Sequence, residues 1–141
     1  MDYGEVEDKE SIVNTGGVRK AIVYYEMDFG MNTVIRKKET TVDPTAHMLI
    51  PVPSAPEGPG GLLVVLEDYL LFKNSTEDHM LRFPLRKDRP LPRKTQFTCH
   101  CIYRFKGFFF LISSELGDIF KVEFVLRDAK GDRKEVVSIK I

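Results

Sequence analysis

The sequence predicts an all-β fold. Val, Ile, Phe, Tyr and Thr are abundant and Ala is scarce, and no segment sustains a long apolar period near 3.6 residues. Short apolar or alternating runs instead recur between Gly, Pro, Asp and Asn clusters, the spacing of a sandwich, barrel or propeller. About ten strands are expected, and no helix of two or more turns. The 141 residues, 43% apolar and 30% charged, fit about one domain and neither a disordered tail nor a membrane protein. No run approaches the roughly twenty apolar residues of a membrane-spanning helix, and the acidic start is unlike a signal peptide. A soluble, unexported chain is expected. Its 21 basic and 21 acidic residues cancel, so any nucleic-acid contact must be local.

Residues 1–17 hold Asp2, Glu5, Glu7, Asp8 and Glu10 against Lys9 alone, too little apolar material to fold unaided, and are expected to be a flexible acidic arm. Antiparallel sheet is expected over 18–141. Strands at 20–26 and 31–38 form a hairpin through Asp28, Phe29 and Gly30. A third strand at 46–52 runs into a Pro/Gly loop at 51–61, whose four prolines and three glycines cannot continue a ladder. Residues 62–66 are apolar at every position, as in a strand covered on both faces. Glu67-Asp68 then turns the chain into a strand at 69–73, and 79–85 continues the meander.

A proline-broken basic loop at 86–94 follows. In the next strand, 95–103, alternation places Phe97, Cys99, Cys101 and Tyr103 on a core face, with Thr98, His100 and Ile102 opposite. Residues 108–113 form a strand closed by a turn at Leu116-Gly117. Phe120, Val122, Phe124 and Leu126 then share a buried face, with Lys121 and Glu123 opposite. The turn Asp128-Ala129-Lys130-Gly131-Asp132 leads to a last strand with Val137, Ile139 and Ile141 on one side. Ending there, in mid-strand, the chain reads as a piece of a larger sheet assembly.

No catalytic constellation emerges. Cys99 and Cys101 on one strand stand roughly 6.6 Å apart with parallel side chains, too far for the about 3.8 Å between disulfide Cβ atoms. Alternation sends His100 away from both sulfurs, so two buried apolar cysteines are expected and no metal site. Asn74-Ser75-Thr76 reads as a polar turn, and Glu67-Asp68 and Glu5-Glu7 as solvated carboxylates. Ser113 and Ser114 lack a nucleophile-elbow frame. The Gly58–Gly61 run lacks the ending of a phosphate loop. Neither cofactor nor metal is expected. The local charge feature is Arg82 with Arg86, Lys87, Arg89, Arg93 and Lys94 against Asp88. Prolines 84, 90 and 92 hold this segment extended, so Arg86, Lys87, Arg89, Arg93 and Lys94 are the candidate contacts for an acidic protein face or an RNA backbone.

Several stretches resemble one family. Glu26-Met27-Asp28-Phe29-Gly30-Met31-Asn32 with Val34-Ile35-Arg36-Lys37, then Gly58-Pro59-Gly60-Gly61-Leu62-Leu63-Val64, then Glu67-Asp68-Tyr69 with Phe72-Lys73-Asn74, are similar in order and spacing to the large subunit of splicing factor 3b. Phe108-Phe109-Phe110-Leu111 and Glu115-Leu116-Gly117-Asp118-Ile119-Phe120-Lys121 continue the likeness, in its first β-propeller. The resemblance runs from about Ala21 to Val125 and is weak in the acidic start and in 84–94. The family is shared with the large subunits of the damaged-DNA-binding complex and of the cleavage and polyadenylation specificity factor.

The resemblance implies a partial β-propeller of about two to three four-stranded blades, not a closed ring. It further implies a non-enzymatic protein-interaction scaffold in pre-mRNA splicing, nuclear, with the other splicing factor 3b subunits as partners. The alternative is a nucleic-acid-binding β module, or a paralogous scaffold of mRNA 3′ processing or DNA-damage recognition. Cut lateral faces carrying Phe97, Tyr103, Phe110 and Phe124 are expected to need the remaining blades of a longer chain, or self-association, to be covered.

Overall fold

Ten strands and no helix make up the described part of the chain, residues 19–67, 69–84 and 96–141 of a computed structural model. The acidic arm expected at 1–17 and the basic loop expected at 86–94, with all five candidate cations, lie outside these residues.

Two units are distinct. The first is a hairpin of β1 (Lys20–Asp28) and β2 (Thr33–Val42). Its turn is set by Asp28, whose Oδ1 accepts hydrogen bonds from the backbone N–H of Gly30 (3.0 Å) and Met31 (3.2 Å). Asn32 completes the reversal at φ +53°, a conformation Asn tolerates better than most residues. The strands continue to Asp28 and Val42, so the hairpin is longer than alternation predicts and its turn is displaced to 29–32.

The second unit holds two four-stranded antiparallel sheets in which every strand pairs with its neighbour in sequence. One sheet contains β3 (Met48–Pro51), β4 (Leu62–Val65), β5 (Tyr69–Lys73) and β6 (Asp78–Arg82). The other contains β7 (Phe97–Arg104), β8 (Phe108–Ser114), β9 (Ile119–Asp128) and β10 (Lys134–Lys140). The strand expected over 79–85 stops at Arg82.

A single apolar cluster joins the two sheets. Register explains its membership: Ile50 faces Leu63, Leu63 faces Phe72 and Val65 faces Leu70, all directed to one side. On the other sheet Phe110 faces Val122 and Ile112 faces Phe120. Phe72 and Phe124 meet edge to face across the seam with centroids 5.2 Å apart, and Phe83 lies 4.3 Å from Phe97. Leu63, Val64, Val65 and Leu66 are all buried, as the continuous apolar run predicts. Glu67, expected to be solvated, is half-buried, with its Oε2 withdrawn from water.

Two β-bulges overturn two predicted faces. Along β7 the register passes from Phe97 opposite Ser114 to Cys99 opposite Ser113. Thr98 is therefore an extra residue, and beyond it the alternation changes phase. Cys99 and Cys101 are consequently exposed rather than buried, Tyr103 leaves the core face, and Ile102 packs against the core instead. Val137 is the extra residue of β10, between Val136 opposite Leu126 and Ser138 opposite Val125. Val136 and Ile139 take the core positions, and Val137 is exposed.

The open lateral face expected to carry four aromatic residues is also corrected. Phe97 and Phe110 are buried and Phe124 packs against the same cluster, because the two sheets cover one another. Tyr103 alone of the four stays exposed.

Exposure of the thiols has a direct readout. Both are expected to react with an aromatic disulfide reagent in the native chain, releasing two equivalents of chromophore without denaturant. A reaction that waits for denaturant would restore the buried assignment.

Candidate functional site

At one end of the two-sheet unit the turns of both sheets converge. The chain leaves β3 at Pro51, which is paired with Leu62 but has no N–H to donate, and returns at Gly61. Gly61 adopts φ +100°, and a Cβ there would lie 2.4 Å from the Lys73 carbonyl oxygen. Only glycine lets the loop cross β5 so closely. The loop is internally bonded, with the Val52 N–H donating to the Gly61 carbonyl (3.0 Å) and the Gly60 N–H to that of Pro53 (2.8 Å). Glu57 ties it to Arg104 on β7 at 3.4 Å.

Beside it, the β5–β6 turn is built on Asn74. Its Oδ1 accepts from the Thr76 N–H (2.9 Å), the Glu77 N–H (2.7 Å) and the Thr76 hydroxyl (3.2 Å). The polar turn expected at Asn74-Ser75-Thr76 is present, held by an Asx motif. The third wall is the β9–β10 turn, closed by the Ala129 N–H donating to the Arg133 carbonyl at 3.0 Å.

Between these turns lies a cleft of about 910 Å³. Ser54, Ala55, Gly58, Pro59 and Asn74 to Glu77 line one side, and Arg127, Ala129, Lys130, Arg133, Lys134 and Glu135 the other. Arg127 pairs with Glu135 at 2.8 Å, and Lys134 pairs with Asp128. The charged groups of the lining are thus biased toward positive charge, four cations against Glu77 and Glu135.

The outer face of the second sheet is different in kind. Tyr103 and Phe109 stack with centroids 5.1 Å apart, and the Lys121 ammonium stands 4.5 Å from the Phe109 ring. Lys121 also hydrogen-bonds the neighbouring Glu123, and together with its charge this holds the Glu123 carboxyl below its ordinary value. The exposed sulfurs of Cys99 and Cys101 belong to β7, the edge strand of this sheet.

In the hairpin unit the apolar residues concentrate at the tip. Phe29 is 83% and Met31 72% exposed, flanked by exposed Met27 and Val34. The Asp28 turn fixes their backbone, so an apolar knob is held out to solvent. Exposure of this kind marks contact surfaces.

The remaining candidate residues have structural duties or none in chemistry. The His47 Nε2 accepts a hydrogen bond from the Phe97 N–H at 2.9 Å and so joins the two sheets. His79 lies against the Phe72 ring, while His100 sits exposed on β7. Ser114 is buried, and its Oγ accepts from the N–H of Leu116 (3.2 Å) and Asp118 (3.1 Å), closing the β8–β9 turn. Among the described residues no group of three or more His, Cys, Asp or Glu is placed to hold a metal ion. No helix among them is long and apolar enough to cross a membrane. Arg86, Lys87, Arg89, Arg93 and Lys94 lie outside the described residues.

Sequence reading does not find the cleft. Its walls come from turns more than fifty residues apart, Asn74 to Glu77 and Lys130 to Arg133, each of which reads alone as an ordinary reversal.

The model of one family, the RSE1/DDB1/CPSF1 first beta-propeller, matches residues 5–141. The chain is 38% identical over 122 residues to "Probable splicing factor 3B subunit 3" of Dictyostelium discoideum, covering 84% of the chain and 9% of that relative. It is 37% identical over 148 aligned positions to "Pre-mRNA-splicing factor rse1" of Emericella nidulans, covering all of the chain and 12% of that relative. With "Splicing factor 3B subunit 3" of Drosophila melanogaster the identity is 35% over 127 residues, 86% of the chain and 10% of that relative. The chain therefore spans about a tenth of the length of these relatives.

Proposed function

The chain belongs to the RSE1/DDB1/CPSF1 first β-propeller family, and from that membership we propose that it is a non-catalytic protein-interaction scaffold of pre-mRNA splicing. The observation that carries the reading is the match over nearly the whole chain to proteins named as splicing factor 3B subunit 3 or Rse1. The exposed hairpin tip and the cation-lined cleft support it, since rigid sheets that hold such surfaces in place can bind partners without chemistry. Its partners are the other splicing factor 3b subunits, in the nucleus, and the remaining blades of a longer propeller. The acidic arm at 1–17 precedes the blades. Arg86, Lys87, Arg89, Arg93 and Lys94 provide a contact for an acidic protein face or an RNA backbone.

The test mixes the chain with the other recombinant splicing factor 3b subunits and reads co-sedimentation. Wild-type capture is expected, and failure to capture any subunit retires the scaffold reading. Reversing the five cations to Glu is expected to weaken capture about tenfold or more, with thermal unfolding unchanged. Unchanged capture by that variant removes the basic contact while leaving the scaffold.

A further inference from the structure

We propose that the cleft between the two sheets is a docking groove for an extended acidic peptide segment of a partner protein; the proposal rests on the scaffold reading and names the chemistry of one of its contacts. Its volume, about 910 Å³, lies within the about 300–1,000 Å³ of ligand sites. Its walls are ordered before any partner arrives. The Asn74 carboxamide fixes one turn, and a backbone hydrogen bond closes the turn opposite. Little ordering entropy therefore remains to oppose binding.

Charge selects the ligand. Of the four cations lining the cleft, Arg127 and Lys134 are already engaged by Glu135 and Asp128. Lys130 and Arg133, on the β9–β10 turn, make no ion pair among the described residues and line the same cleft. Two carboxylates of an extended peptide would meet them in charge-assisted hydrogen bonds. The Ser54 and Ser75 hydroxyls on the opposite wall are donors and acceptors for a peptide backbone.

Two features disfavour RNA in the same groove. No aromatic side chain lines it, so the stacking that holds unpaired bases is missing. Glu77 on the opposite wall and Glu135 within the positive one set carboxylates along the groove, which repel a ligand charged at every nucleotide but are tolerated by a peptide whose acids are spaced.

The experiment measures fluorescence anisotropy of the chain with a labelled peptide alternating Glu and Ser, about eight residues and so about 28 Å when extended. An octauridylate of the same label serves as the comparison. The peptide is expected to bind at low ionic strength and more tightly than the RNA. Lys130→Glu with Arg133→Glu is expected to weaken it about tenfold or more, while Lys130→Arg with Arg133→Lys retains binding. Both pairs of changes lie on an exposed turn, and matching thermal unfolding verifies that the variants fold. Tighter binding of the RNA, or peptide affinity indifferent to the reversal, overturns the proposal. So does absence of peptide binding by a chain that still captures splicing factor 3b subunits, which spares the scaffold reading. Loss of both overturns both.

Discussion

Phe72→Ala is expected to lower the unfolding free energy by about 3–5 kcal/mol. The ring is fully buried and sits where the two sheets meet. It packs within its own sheet opposite Leu63 and His79, and it meets Phe124 of the other sheet edge to face. Removing it forfeits the transfer of a large apolar surface and the aromatic contact, and leaves a cavity that pleated backbone on both sides cannot collapse into. A domain of this size is stabilised by only about 5–15 kcal/mol, so the variant loses a large share of its margin. Urea unfolding followed by circular dichroism is the measurement. Phe29→Ala is the control: the Phe29 ring is almost wholly exposed, and its removal is expected to change stability by about 0.5 kcal/mol or less. Equal effects at the two positions would contradict the inter-sheet core.

Gly61→Ala is expected to cost about 2–4 kcal/mol, from two causes that a second variant separates. Gly61 lies at φ +100° and a new Cβ would also meet the Lys73 carbonyl oxygen at 2.4 Å. That oxygen cannot retreat easily, because Lys73 is paired in register with Leu62 and Asp78 on either side. Gly107 has a similar φ of +110° but nothing within 4 Å of the position a Cβ would take. Gly107→Ala should therefore show backbone strain alone, about 1 kcal/mol. The difference between the two midpoints isolates the close approach, and a difference of zero would remove it.

These residues also show what the sequence made legible. The Gly-Pro-Gly-Gly run reads correctly as a loop because proline and glycine act locally, on their own backbone. β4 reads correctly because a run apolar at every position is buried whichever face it presents, and the buried face of β9 because an uninterrupted period-two pattern maps directly onto a pleat. Alternation misplaces Cys99, Cys101 and Val137 for a common reason. A bulge adds a residue on one strand through its pairing with another, and Thr98 and Val137 carry no proline or glycine to announce it. The covered faces of Phe97, Phe110 and Phe124 depend on one sheet docking against the other, which no periodicity records. The cleft is less legible still, since Lys130 and Arg133 gain their meaning from Ser54 and Ser75, which approach them only in the fold.

The pairing of each strand with its sequence neighbour divides folding into quick and slow stages. A hairpin forms in about 1–10 μs, and each sheet needs only such local closures. Docking one sheet on the other must wait for contacts such as Phe72 with Phe124, which enclose a far longer stretch of chain and carry a larger closure entropy. During synthesis the delay becomes longer. The roughly sixty residues from Arg82 to Lys140 take about 3–12 s to make at about 5–20 residues per second. For those seconds the first sheet stands on the ribosome with Ile50, Leu63, Leu70 and Phe72 bare, and a nascent-chain chaperone that recognises apolar strands has its window there.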